Sequence, residues 1–439
     1  MITFTRDEFS ALYRSKLVSS MAAAALVPRR GNLAFGMGPA NPPQLLSALV
    51  ERISAGEVDD LHIHYQLACQ PAAGLFNVDF LNRIQLHPNF MSELDRDFMK
   101  RGGVVDFMPS YLWQLPIIYS RFIPMDVFMI TVSPMDKHGY FSLGTSCDYS
   151  STVAKNCKTL LVEVNDQMPR VFGDNLIHVT EVDGIVENSM PLIELPDRPL
   201  APEDEIIGKN IAAMIPDGAC LQFGIGGVPN AVAKYLTNHK NLGIHTEMLT
   251  NVAGKLYESG ALNNSCKSLH RDKTVFTFCW GTRELFDFID DNPAVESYPA
   301  SHINDPAIIA QNDNVVSINA MIEIDLFGQV NSESLGGHEF SGVGGQRDFI
   351  SGAFRSRNGL SFLASAATVK NGTISKIVPK LSGVMSDSRM EPMYIVTEHG
   401  MINLKGKTSS ERALGLIEIA APAFRQSLLD AAKQMGLVK

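Results

Sequence analysis

Twice in this chain a short apolar strand runs into glycine and then into an amphipathic helix, and this repeated order limits the fold more than any other feature. In the first half, Asn32-Leu-Ala-Phe-Gly36-Met-Gly38 reads as a strand ending in glycine and Pro39 to Pro43 as a turn. Gln44-Leu-Leu-Ser-Ala-Leu-Val-Glu-Arg-Ile then carries apolar residues at helical spacing. Leu61-His-Ile-His-Tyr-Gln-Leu is the next strand, so a β-α-β unit opens the chain and predicts a parallel sheet. In the second half, Cys220-Leu-Gln-Phe223 runs into Gly224, Gly226 and Gly227, and Pro229 opens a helix, Asn-Ala-Val-Ala-Lys-Tyr-Leu. Gly243-Ile-His-Thr-Glu247-Met follows as a strand that delivers an acid at its end. The expected class is α/β, with two open, mostly parallel-sheet domains of similar construction.

The boundary between them is written in proline. Asp183 to Glu205 holds Pro191, Pro196, Pro199 and Pro202 among polar residues, the composition of an extended linker. The expected domains are therefore 1–198 and 199–439, the second carrying the acid and the glycine loops. Further helices are expected over 4–29, 150–158 and 203–215, with a helical tail over 409–435 broken at Pro422. Further strands are expected over 104–107, 127–132, 160–164, 275–280, 315–320, 322–326, 361–365 and 394–397.

A strand-to-helix turn this poor in side chains presents backbone N–H groups to whatever sits above it. It is not a dinucleotide fingerprint, because Pro229 stands where G-x-G-x-x-G needs glycine. Glycine turns after strands also serve tight packing of helix on sheet, so this motif alone leaves both readings open. A second such segment, Gly336-Gly-His-Glu-Phe-Ser-Gly342-Val-Gly344-Gly345-Gln-Arg-Asp-Phe349, is too rich in glycine to hold a strand or helix and is expected as a loop approaching a ligand.

Composition narrows the function. A chain of 439 residues with 45% hydrophobic and 19% charged residues is a globular protein of more than one domain. Its net charge of −10, with no run of Lys and Arg, speaks against nucleic-acid binding. Six cysteines without C-x-x-C spacing imply a reducing cytoplasm and no zinc. His62 and His64 share one strand face, a pair with no evident third ligand, so no metal is expected. No apolar run of about eighteen residues marks a membrane span, and no secretory signal is expected at the N-terminus.

From about residue 125 onward the chain resembles the acetyl-CoA hydrolase/transferase family of CoA-transferases, with the pattern of 4-hydroxybutyrate CoA-transferases. The resemblance rests on Val132-Ser-Pro-Met-Asp-Lys-His-Gly139-Tyr, Glu163-Val-Asn-Asp-Gln-Met-Pro169, Gln222-Phe-Gly-Ile-Gly-Gly-Val-Pro-Asn-Ala-Val and Gly243-Ile-His-Thr-Glu247-Met. It continues through Phe340-Ser-Gly-Val-Gly-Gly-Gln-Arg-Asp-Phe349, Ser375-Lys-Ile-Val-Pro379, Val396-Thr-Glu-His-Gly400 and Leu404-Lys-Gly-Lys407, in the family's order. Two departures lie earlier: Gly36 stands where related transferases often carry histidine, and Leu86 to Leu94 lacks their serine-threonine-arginine run.

The resemblance implies an acyl-CoA substrate, an accepting carboxylic acid such as acetate and a covalent glutamyl intermediate on Glu247. The N–H groups around Gly224, Gly226, Gly227, Gly342, Gly344 and Gly345, with the amide of Gln222, are the expected oxyanion and CoA donors. Lys376 and Lys407 are candidates for the CoA phosphates, or else solvated lysines. Coenzyme A is then a substrate, no cofactor is tightly bound, and the family implies a homo-oligomer, a dimer. Two alternatives stay open: an acyl-CoA hydrolase, and a non-catalytic CoA-binding protein.

Overall fold

The computed structural model describes residues 6–439 and divides into two compact units. The first comprises the described residues up to Leu195 together with Val275–His302; the second comprises Pro196–Thr274 and Ile303–Lys439. The first break falls within the proline-rich stretch. The segment Val275–His302, however, groups with the first unit, whereas the 1–198 and 199–439 division assigned it to the second.

In the first unit, six strands form one sheet: β1 (Arg30–Phe35), β2 (Asp60–Gln66), β3 (Ile84–Phe90), β4 (Val127–Val132), β5 (Thr159–Val164) and β6 (Gly184–Glu187). They lie in the order β3-β2-β1-β4-β5-β6, and every neighbouring pair is parallel. The core packs Leu33 and Phe35 of β1 against Leu45, Leu46 and Leu49 of helix α1 (Pro43–Ser54), all fully buried. Gly36 is glycine for lack of room: a Cβ there would lie 2.7 Å from both the Ala40 carbonyl oxygen and Ile130 Cγ1.

Two expectations shift in this unit. The N-terminal helix is two helices, Arg6–Lys16 and Ser20–Ala24, and residues 4 and 5 lie outside the described residues. The break between them carries a strand-like bridge from Leu17 to Ile185, and the Ser19 hydroxyl caps the second helix through the Ala22 N–H. Residues 104–107 form no strand. The strand there is β3, hidden in the sequence by Pro88, which an edge position tolerates. The 104–107 segment instead lies along β3, with Asp106 N–H donating to the Leu86 carbonyl and Met108 N–H to that of Pro88.

In the second unit the strands are β7 (Cys220–Phe223), β8 (Gly243–Leu249), β9 (Val315–Ala320), β10 (Leu360–Ala364), β11 (Tyr394–Thr397) and β12 (Gly400–Asn403). Their order is β8-β7-β9-β10-β11-β12, parallel throughout except for the terminal β11–β12 hairpin. From β7 the chain goes to β8 on one side and later to β9 on the other. The carboxyl ends of β7 and β9 therefore flank a topological switch point, the place where open α/β sheets bind ligands. Helices α2 (Pro202–Ala212), α3 (Gly227–Tyr235) and α4 (Gln346–Arg355) belong to this unit, and the helical tail is two helices, Ser409–Glu418 and Pro422–Gln434.

The second glycine segment is only partly a loop. Ser334–Leu335 and His338–Glu339 pair as a two-residue hairpin turning on Gly336 and Gly337, which glycine permits rather than prevents. Residues 340–345 then lead into α4.

Candidate active site

Glu247 is the fifth residue of β8 and is half-buried, whereas its strand neighbours on both sides are buried. The register pairs Cys220 with Gly243 and Leu221 with Ile244, and the same offset places Gly224, just past the end of β7, abreast of Glu247. Side chains alternate along β8, so Glu247 shares its face with His245. His245 is buried, and its Nε2 donates to the carbonyl of Ile303 at 2.8 Å while Nδ1 lies 3.4 Å from the Asn312 amide. The histidine thereby fixes the residue just before Asn304.

Asn304 is fully buried, and its Nδ2 donates to Glu247 Oε2 at 2.8 Å. The backbone of Gly345 approaches the same carboxylate and favours its charged form. Gly345 is the N-cap of α4, so the positive end of that helix faces the acid. A Cβ on Gly345 would stand 1.9 Å from both Glu247 Oε2 and Asn304 Nδ2, which makes glycine obligatory here. Burial pushes the Glu247 carboxyl up to about 7, against the opposing pull of the Asn304 amide and the Gly345 backbone. The side chain keeps partial exposure while its carboxyl lies in low-dielectric surroundings.

The other expected site residues are placed as follows. Gln222 is buried in a closed network: its Nε2 donates to Asn319 Oδ1 at 3.1 Å, and its Oε1 accepts from Ser317 Oγ at 2.7 Å and Asn319 Nδ2 at 3.0 Å. Its amide is thus engaged within the sheet, and it braces β7 against β9 at the switch point. Gly224 and Gly227 are glycines for packing, since a Cβ would lie 2.8 Å from Asn319 Oδ1 in one case and 2.1 Å from Asp204 Oδ2 in the other. Gly226 differs. It caps α3 with φ +131, and a Cβ there would meet open space, so conformation and not packing favours glycine here. Gly342 and Gly344 lie in the loop that delivers Gly345. Lys376 is half-buried and burial lowers its pKa, while the nearby Asp204 and Glu398 carboxylates oppose that shift; Lys407 is exposed.

Asn304 is the residue that sequence reasoning missed. It lies outside every glycine or acid motif, in Ser-His-Ile-Asn-Asp, and nothing local distinguishes it from a turn asparagine. The histidine pair gains His87, whose Nε2 is 3.0 Å from His62 Nδ1, yet among the described residues no group of three or more His, Cys, Asp or Glu can hold a metal ion. All six cysteines are free, and among the described residues no helix is long and apolar enough to cross a membrane.

Family models settle what this geometry belongs to. Residues 1–194 match the acetyl-CoA hydrolase/transferase N-terminal domain and residues 281–432 the corresponding C-terminal domain. The chain belongs to the acetyl-CoA hydrolase/transferase family. Within that family it is 41% identical to the succinyl-CoA:cyclohexane-1-carboxylate CoA transferase of Geobacter metallireducens, across 97% of each chain. It is 40% identical to the 4-hydroxybutyrate coenzyme A transferase of Clostridium kluyveri, across 97% of this chain and 99% of the relative. The crystal structure of RipA from Yersinia pestis superposes with a TM-score of 0.95 at 45% identity, covering 98% of this chain and 99% of that one. The family match extends through the N-terminal third, where Gly36 and the Leu86–Leu94 segment depart from the expected pattern.

Proposed function

We propose that the protein is a CoA-transferase that moves CoA from an acyl-CoA to a carboxylic acid through covalent intermediates on Glu247. The observation that carries this reading is the half-buried Glu247, whose carboxylate accepts from the Asn304 amide at 2.8 Å beside Gly345 at the head of α4. Named CoA transferases among its relatives support the reaction class.

The chemistry starts with the ionised Glu247 attacking the thioester carbonyl. The C–S bond breaks, CoA leaves as thiolate, and an acyl-glutamyl anhydride remains. The thiolate then attacks the glutamyl carbonyl, which releases the first acid as carboxylate and leaves a glutamyl-CoA thioester. The accepting carboxylate attacks that thioester, expelling the thiolate and forming the second anhydride. Attack of the thiolate on the new acyl carbonyl completes the exchange and restores the Glu247 carboxylate.

Each attack on the glutamyl carbonyl passes through a tetrahedral oxyanion. In this reading Asn304 Nδ2, which holds the resting carboxylate, receives that charge together with the nearby Gly345 N–H, and losing one such donor costs about 3 to 4 kcal/mol of transition-state stabilisation. Gly226 and the Gly342–Gly344 loop offer backbone to CoA, and Lys376 and Lys407 remain its phosphate partners in this reading. Remote binding energy from CoA orients the thioester.

Acetate with 4-hydroxybutyryl-CoA or another short-chain acyl-CoA is the pair to test first, in a cytoplasmic homodimer. The deciding experiment incubates the protein with acyl-CoA alone, reduces with borohydride and locates the modified residue by mass spectrometry. Reduction at Glu247, with CoA exchange that depends on added acid, is the expected result. Acid-independent loss of acyl-CoA would instead identify a hydrolase, and an unmodified Glu247 a binding protein.

A further inference from the structure

Asp348 belongs to the second glycine motif, yet neither the thioester chemistry nor the oxyanion donors use it. It is the third residue of α4 and fully buried. Its Oδ2 lies 3.4 Å from Asn304 Nδ2, the same nitrogen that donates to Glu247 Oε2 at 2.8 Å. A primary amide carries two N–H groups, and here one is directed at each carboxylate. The Asn304 Oδ1, by contrast, is buried and has no hydrogen-bond partner.

This arrangement is informative because an amide can flip. The flipped rotamer would set Oδ1 against two carboxylates and lose both hydrogen bonds. While Glu247 is ionised, it holds the orientation by itself. Once Glu247 has become a thioester or anhydride, its oxygens are neutral and weaker acceptors, and the hold must come from elsewhere. We propose that Asp348 is a positioning residue that keeps the Asn304 amide N–H aimed at the Glu247 carbonyl through the covalent stages of the reaction. This rests on the glutamyl mechanism above and deepens it.

A double-mutant cycle tests it, using the full chain with acyl-CoA and acetate. Asp348→Ala is expected to lower kcat by up to about 100-fold, the scale of a misplaced catalytic group, with KM for acyl-CoA changed less than about twofold. Asp348→Asn, whose carbonyl can still accept the N–H, is expected to restore most of that loss. Asn304→Ala with Asp348→Ala should be no slower than Asn304→Ala alone, because a residue acting only through Asn304 has nothing further to lose. Multiplying losses in the double variant, or an Asp348→Ala enzyme with unchanged kcat, overturns the proposal. If Asp348→Ala fails to fold, the cycle is run with Asp348→Asn, where a loss that persists beside Asn304→Ala overturns it equally. Borohydride labelling of the unmodified protein separates the two ideas: no label at Glu247 removes the mechanism itself, whereas a label with additive losses removes only the role of Asp348.

Discussion

At the scale of single residues, Glu247 combines two demands that pull apart. As the proposed nucleophile it must be ionised to attack, and it is held where burial disfavours ionisation, up to about 7. The carboxylate is the active form, so kcat/KM for acyl-CoA should fall as pH drops through about 7, by about tenfold per unit below it; a pH–rate profile flat from pH 8 to 5 would contradict this. Stability runs the other way. A carboxyl whose folded pKa lies above its unfolded value stabilises the fold fully below pH 4.5, and that contribution is lost as pH rises through about 7. Glu247→Gln should therefore abolish transfer yet melt higher than the unmodified protein at pH 8, with the two converging near pH 4.5 in calorimetry. Glu247 could be singled out as the proposed nucleophile because its strand pattern and motif are local. Asn304 was not, since its role comes from a strand neighbour in space, His245, which fastens the residue before it.

At the scale of elements, the proposed mechanism makes the head of α4 the working part. Gly345→Ala would force a methyl group into the space of Glu247 Oε2 and Asn304 Nδ2, each 1.9 Å from the added carbon. Activity should fall by at least about 100-fold while far-ultraviolet circular dichroism stays native. Gly226→Ala gives the contrast: it meets open space and carries only the strain of its φ, so it should lower the melting temperature more than kcat. The parallel sheets were legible from strand–glycine–helix order. The edge strand β3 was not, because Pro88 is a sound reason to reject a strand everywhere except at a sheet edge. The hairpin at 334–339 was lost for the opposite reason, since glycines that argue against regular structure over a long window favour a tight turn within a short one.

At the scale of the whole molecule, the first unit is built from two pieces of chain. Val295–Ser297 pairs in parallel with Phe172–Gly173, Trp280 Nε1 donates to the Ile193 carbonyl at 3.0 Å, and Ala300 N–H donates to that of Asp148 at 2.9 Å. Phe276 and Val295 of the returning piece are fully buried. No sequence signal marked this return, because each piece reads as ordinary alternating strand and helix and only long-range packing assigns it. A fragment ending at Leu195 should consequently bind a hydrophobic dye and aggregate, and supplying residues 275–302 in trans or on a short linker should reduce both. The same feature dictates a timetable during synthesis. The N-terminal unit emerges first from the ribosome but cannot close until His302 has followed it, so it waits, incomplete, while most of its successor's first strands are still being made. The interval is one in which a chaperone has something to hold.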